Sequence, residues 1–154
     1  MSSVKKTIQK LINRNISISV AESCTGGLIS NTLVKNNGIS KIFTVGVISY
    51  SNNSKVKYLN VSINKLKKYG AVSSNIAEEM INNLYKKENS KITISTTGIA
   101  GPNGGSKEKP IGLVFIGIKF NKKNYIFKKI FKENRMEIQR KTKNFVFKKI
   151  DNLV

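Results

Sequence analysis

Histidine and tryptophan are absent from this 154-residue chain, cysteine occurs once, proline twice, and acidic residues number only 8. Each shortage closes off a class of chemistry. Without histidine there is no Ser-His-Asp triad and no imidazole base. The single cysteine, Cys24, permits no intrachain disulfide and fits a reducing compartment. One cysteine, no histidine and few carboxylates leave no ligand set for a protein-only zinc site. Hydrolysis by paired acids needs two placed carboxylates, yet Glu78 and Glu79 fall within one helical pattern and read as solvated. No apolar run approaches the roughly 18 residues of a membrane span. Ser2 to Asn15 is lysine-rich, but Val4, Ile8, Leu11 and Ile12 share one helical face. That pattern is an amphipathic helix, not a secretory signal, and the cytoplasm is the expected location.

Acidic charge is outweighed by 28 Lys and Arg, which gives a formal net charge of +20. Such an imbalance raises a polyanion as partner. Arginine, the residue suited to bidentate phosphate readout, occurs only as Arg14, Arg135 and Arg140. The rest is lysine scattered along the chain, accompanied by abundant Ile and Asn. We read this as the imprint of AT-rich codons, and expect neither a nucleic-acid nor a membrane partner.

What is present is an alternation of strands and helices. Val4–Arg14 reads as a helix, Ile16–Ala21 as a strand and Gly26–Lys35 as a helix that Asn37-Gly38 breaks. Thr44–Tyr50 is a mostly apolar strand, followed by short helices over Asn52–Leu59 and Ile63–Lys68. Ser73 or Ser74 caps a helix over Asn75–Lys87, with Ile76, Ala77, Met80, Ile81 and Leu84 on its buried face. Ile92–Thr96 is a strand, Ile111–Phe120 and Tyr125–Phe131 form a hairpin, and Arg135–Asn152 is a final helix. This order predicts one α/β domain over residues 1–154 with a mixed sheet.

Two small-residue loops follow predicted strands: Ala21-Glu22-Ser23-Cys24-Thr25-Gly26-Gly27 and Thr96-Thr97-Gly98-Ile99-Ala100-Gly101-Pro102-Asn103-Gly104-Gly105-Ser106. In open α/β sheets ligands sit outside the carboxyl ends of strands. The first loop opens a helix, where free backbone N–H groups can face an anion. It also reads as an ordinary capped turn. Neither loop matches a phosphate-loop or dinucleotide fingerprint. With histidine absent, the available nucleophiles and bases are Ser, Thr, Tyr and Lys, and a Ser–Lys pair is one known solution. Ser40, Tyr50 and Lys55 are candidates, although spacing alone does not bring them together. Ser40 reads equally as a turn cap, Tyr50 as core and Lys55 as a solvated lysine.

Five blocks, in order, resemble the C-terminal domain of the CinA (competence/damage-inducible) family. They are Ala21 to Gly27, Gly38-x-Ser40 with Phe43, Tyr50-Ser51-Asn52-x-x-Lys55, Gly70-Ala71-Val72-Ser73, and Thr97 to Ser106 continuing into Glu108-Lys109-Pro110-Ile111-Gly112. The resemblance implies a three-layer α/β/α sandwich around a mixed, mostly parallel sheet. It leaves no room for the family's separate N-terminal domain. It also implies metal-independent, cofactor-free hydrolysis of the carboxamide of nicotinamide mononucleotide to nicotinic acid mononucleotide and ammonia, by a cytoplasmic homodimer. Carried over residue by residue, Ser40 is the expected nucleophile, Lys55 its base and Tyr50 a hydrogen-bonding helper. Ser23, Thr25, Gly26, Gly27, Thr97, Gly98, Arg135 and Arg140 are the expected substrate-binding residues. Glu133-Asn134 replaces a common Gly-Asp before the first of those arginines. Two alternatives stand beside this reading: a nucleotide-binding relative with little turnover, and a basic protein associated with nucleic acid.

Overall fold

The computed structural model describes all of residues 1–154. Its five strands are β1 (Ile18–Glu22), β2 (Phe43–Ile48), β3 (Ile92–Gly98), β4 (Leu113–Phe120) and β5 (Lys123–Ile130). They form one sheet in the order β2-β1-β3-β4-β5. β1 pairs parallel with β2 and β3, while β3–β4 and β4–β5 are antiparallel. Only β4 therefore runs against the other four. The helices are α1 (Ser3–Asn13), α2 (Leu28–Val34), α3 (Asn52–Leu59), α4 (Ile63–Tyr69), α5 (Ser74–Glu88) and α6 (Arg135–Leu153), with a 3₁₀ turn at Ile39–Lys41.

Period-two alternation divides the strands between two helical layers. Ile18 and Val20, Ile92 and Ile94, and Ile116 and Ile118 face α1, α2 and α6, where Ile8, Leu11, Ile29, Leu33, Val146 and Phe147 complete the larger core. The opposite face meets α5 and its neighbours through a second core of Ala21, Leu59, Leu66, Ile76, Met80 and Leu84. On that side the central strands present small hydroxyl residues. Ser19 donates to Thr93, and Ser95 donates to the Ala77 carbonyl. Gly117 beside them lets α5 lie close, because a Cβ there would sit 3.0 Å from the Ala77 carbonyl oxygen of α5 and 2.5 Å from Ser95 Oγ. The three-layer arrangement is the expected one.

Topology fixes where a site can form. The chain leaves β1 for α2 on one face and leaves β2 for α3 on the other. The carboxyl ends of these adjacent parallel strands thus diverge and leave a crevice between them. The loop between β3 and β4 reaches the same edge. It is closed at its base by Gly112 N–H donating to Ile99 O at 2.7 Å and by Ile99 N–H donating to Leu113 O at 2.9 Å. Gly112 has φ +88, and a Cβ there would lie 1.7 Å from the Phe131 carbonyl oxygen. Gly112→Ala is therefore expected to destabilise the fold by more than about 2 kcal/mol, measurable as a lowered urea midpoint. An unchanged midpoint would show that this junction yields freely.

Candidate active site

β1 ends on Glu22, and the seven residues from Ala21 to Gly27 turn the chain into α2. Glu22 is fully buried. One carboxylate oxygen accepts from Thr25 Oγ1 (2.6 Å), Gly27 N (3.0 Å) and Ile29 N (3.1 Å), and the other accepts from Ser30 N and Ser30 Oγ, both at 2.7 Å. The protein's own anion thus fills the start of α2. The sequence points to free N–H groups there for a ligand; in the structure Glu22 takes them.

Ser23 is the next residue. Its backbone N–H donates to the Thr96 carbonyl at 3.0 Å, and its own carbonyl accepts from Gly26 N–H at 3.0 Å. Its hydroxyl lies 2.9 Å from Lys55 Nζ. Lys55 comes from α3, whose start is fixed by a capping box between Ser51 and Ser54. The lysine is 1 % exposed, and its ammonium also reaches the carbonyls of Ser49 (2.7 Å) and Tyr50 (3.4 Å). None of the four ion pairs of the structure includes it. Burial pulls its pKa from 10.5 to about 8, with a small opposing contribution from Cys24. Neutral Lys55 keeps two N–H groups for the Ser49 and Tyr50 carbonyls and one lone pair for the Ser23 hydroxyl. This is the geometry of a nucleophile and its base.

Cys24 is not a rival nucleophile. Burial pushes its thiol up to about 12, so it stays protonated at neutral pH. Its carbonyl accepts from Gln139 Nε2 at 2.9 Å, which ties the turn to α6. Neither Cys24 N–H nor Thr25 N–H donates to another residue of the protein. Two backbone donors directly after a serine are the usual material of an oxyanion hole.

Ser40 does not join this group. It is exposed in the 3₁₀ turn that enters β2, whereas Lys55 follows the exit from β2. The six residues of β2 hold the two ends apart by about 16 Å at strand rise. Ser40 cannot pass a proton to Lys55, and the expected Ser40–Lys55 pair is replaced by Ser23–Lys55. Tyr50 contributes its carbonyl to Lys55, while its phenol is 57 % exposed and accepts from Arg135 Nη2 at 2.5 Å. Arg135 Nη1 also donates to the Gly101 carbonyl at 2.6 Å. The first residue of α6 thereby bridges the β2–α3 turn and the long loop at the crevice mouth. Arg140 is turned away, paired with Glu137 on the outer side of α6. It makes no hydrogen bond to Ser23, Lys55, Tyr50 or Arg135.

The expected binding residues divide in the same way. Thr25 faces inward, donating to Glu22 and lying 2.8 Å from Thr96 Oγ1. Thr97 is 1 % exposed and donates to the Ala71 carbonyl at 2.8 Å. Both threonines shape the crevice wall rather than offer hydroxyls to a ligand. Gly98 ends β3 with no room for a side chain, since a Cβ would lie 2.7 Å from Leu113 O. Gly26 is exposed with φ +56, and Gly27, at φ +98, starts α2 and donates to Glu22. No group of three His, Cys, Asp or Glu side chains is arranged to hold a metal ion. The largest groove lies elsewhere, between α1, α2 and α6, and is lined by Lys5, Lys35, Lys143 and Lys148. It contains none of the residues above.

A family model described as the CinA C-terminal domain matches residues 1–154. A "CinA-like protein" of Prochlorococcus marinus is 50 % identical over 141 residues, covering 89 % of this chain and 32 % of its own length. A "putative competence-damage inducible protein" of Clostridioides difficile is 48 % identical over 129 residues, covering 84 % of this chain and 31 % of its own length. The chain thus spans about a third of the length of these relatives. Among solved structures, a competence/damage inducible protein from Agrobacterium tumefaciens superposes with TM-score 0.92 at 30 % identity, covering 99 % of this chain and 96 % of that one. A CinA superfamily protein from Escherichia coli gives TM-score 0.92 at 27 % identity, with 99 % and 88 % covered.

Proposed function

This chain belongs to the CinA C-terminal domain family, and from that premise we propose that it is a serine–lysine amidohydrolase that deamidates nicotinamide mononucleotide. The observation that carries the reaction type is the 2.9 Å contact between Ser23 Oγ and a buried, ion-pair-free Lys55. The substrate is what the family resemblance implies.

In the proposed reaction, Lys55 Nζ takes the Ser23 hydroxyl proton as Oγ attacks the carboxamide carbon. The C=O electron pair moves to oxygen, where Cys24 N–H and Thr25 N–H stabilise it. The intermediate collapses, the C–N bond breaks, and the Lys55 proton leaves with nitrogen as ammonia. Water, deprotonated by the same lysine, then attacks the acyl-enzyme and frees the carboxylate product and Ser23.

With α2 capped internally by Glu22, the substrate phosphate is assigned to Arg135, whose guanidinium has no carboxylate partner. A charge-assisted hydrogen bond of this kind contributes about 1.5–3 kcal/mol. Arg135→Ala is thus expected to raise KM for nicotinamide mononucleotide about tenfold or more, with little effect on the phosphate-free nucleoside. Arg140→Ala should leave KM unchanged. The primary test is ammonia release from nicotinamide mononucleotide by purified protein. Binding without release would favour a nucleotide-binding relative instead.

A further inference from the structure

We propose that Glu22 is a positioning residue whose buried carboxylate holds the Ser23–Gly27 turn in the shape that presents the nucleophile and its two oxyanion donors. This rests on the assignment of Ser23 as nucleophile. A fully buried carboxylate costs several kcal/mol unless hydrogen bonds replace its hydration. Here five donors do so, all from Thr25, Gly27, Ile29 and Ser30, and none is a cation. The backbone of Glu22 is fixed in β1, and its carboxylate is fixed on the first turn of α2. The residues between are therefore held at both ends. Thr96 fixes the middle, accepting Ser23 N–H on its carbonyl and contacting Thr25 Oγ1 through its hydroxyl. What remain unpaired are Cys24 N–H and Thr25 N–H, side by side after the nucleophile.

Only an acceptor-only group suits five converging donors. A glutamine would keep one oxygen and set an NH₂ group against the Ser30 N–H. The turn would shift, and a displacement of about 1 Å at a reacting group can cost about 100-fold.

The test is the rate of Ser23 modification by a fluorophosphonate, followed by mass spectrometry. In that step Ser23 Oγ–P forms, P–F breaks, fluoride leaves, and the serine proton goes to Lys55, so no particular amide substrate is needed. Glu22→Gln and Glu22→Ala should react about tenfold or more slowly than wild type, with the half-saturating probe concentration within about twofold. Formate should restore much of the Glu22→Ala rate, whereas chloride at equal ionic strength should not. Should Glu22→Ala fail to fold, Thr25→Val, which removes one of the five donors to the carboxylate, should be slow. Wild-type rates in Glu22→Gln or Thr25→Val would overturn the proposal. So would a folded Glu22→Ala that labels at the wild-type rate, since that is the behaviour of a stability cap, or a slow one that formate does not rescue. No labelling of wild-type Ser23 would remove both this role and the nucleophile. Labelling without ammonia release from nicotinamide mononucleotide would overturn the substrate and leave the positioning role standing.

Discussion

Ser23→Ala is expected to lower ammonia release by at least about four orders of magnitude, and Ser40→Ala to leave it within about twofold of wild type. Removing a serine nucleophile takes away the covalent route entirely, and losses up to about 10⁶-fold are known for such a change. Only Ser23 meets the geometric requirement, with its hydroxyl 2.9 Å from Lys55 Nζ. It is 7 % exposed, enough for a substrate atom to reach a side chain set in a turn. Ser23→Ala removes only one oxygen, and its backbone bonds to Thr96 and Gly26 are unaffected. Substrate binding should therefore survive, measurable by titration calorimetry in the inactive variant. Ser40 has no comparable partner, being an exposed residue of the 3₁₀ turn ahead of β2. Full activity in Ser23→Ala with none in Ser40→Ala would refute the assignment and require the two ends of β2 to exchange roles.

The exchange of Ser40 for Ser23 shows how far the sequence can be read. Period-two and period-3.6 patterns place every helix and strand within a few residues. The buried face of α5 is legible in full, since Ile76, Ala77, Met80, Ile81 and Leu84 are all buried. The direction of β2 was legible too. A strand entered after Ser40 and ending at Tyr50 puts these residues at opposite ends of the sheet. A parallel neighbour that ends at Glu22 must bring Ser23, not Ser40, to the side of Lys55. Motif order ranks residues along the chain, whereas strand direction decides which of them meet. Glu22 was beyond such reasoning. A carboxylate just before a helix reads as an ordinary favourable charge, and only the folded chain turns both oxygens inward onto five donors. The inward rotation of Thr25 and the outward pairing of Arg140 with Glu137 likewise depend on side-chain rotamers that spacing does not specify.

Lys55→Met is expected to abolish turnover and yet to stabilise the protein at neutral pH. Lys55 is buried without a carboxylate, and its pKa falls from 10.5 to about 8 on folding. The folded state therefore binds fewer protons than the unfolded state between about pH 8 and 10.5, so this residue makes stability rise with pH across that window. Below about pH 8 the penalty is fully present, and a shift of this size corresponds to about 3 kcal/mol. Methionine fills nearly the same volume without the charge. It leaves the Ser49 carbonyl without its 2.7 Å donor, a loss of about 1–2 kcal/mol. The net expectation at pH 7 is a gain of about 1–2 kcal/mol in urea unfolding. That gain should shrink and reverse as pH approaches 10.5. The same lysine sets the rate of the wild-type enzyme, because only its neutral form accepts the serine proton. Below about pH 8 turnover should rise about tenfold per pH unit, and above it should level off. Lys55→Arg keeps the charge but cannot lose its proton at working pH, so it should be inactive at every pH tested. Lys57→Arg, at an exposed position two residues on, is the matched control and should remain active. A stability difference between Lys55→Met and wild type that stays constant from pH 7 to 10.5 would show that Lys55 keeps an ordinary pKa. An active Lys55→Arg would show that it is not the base.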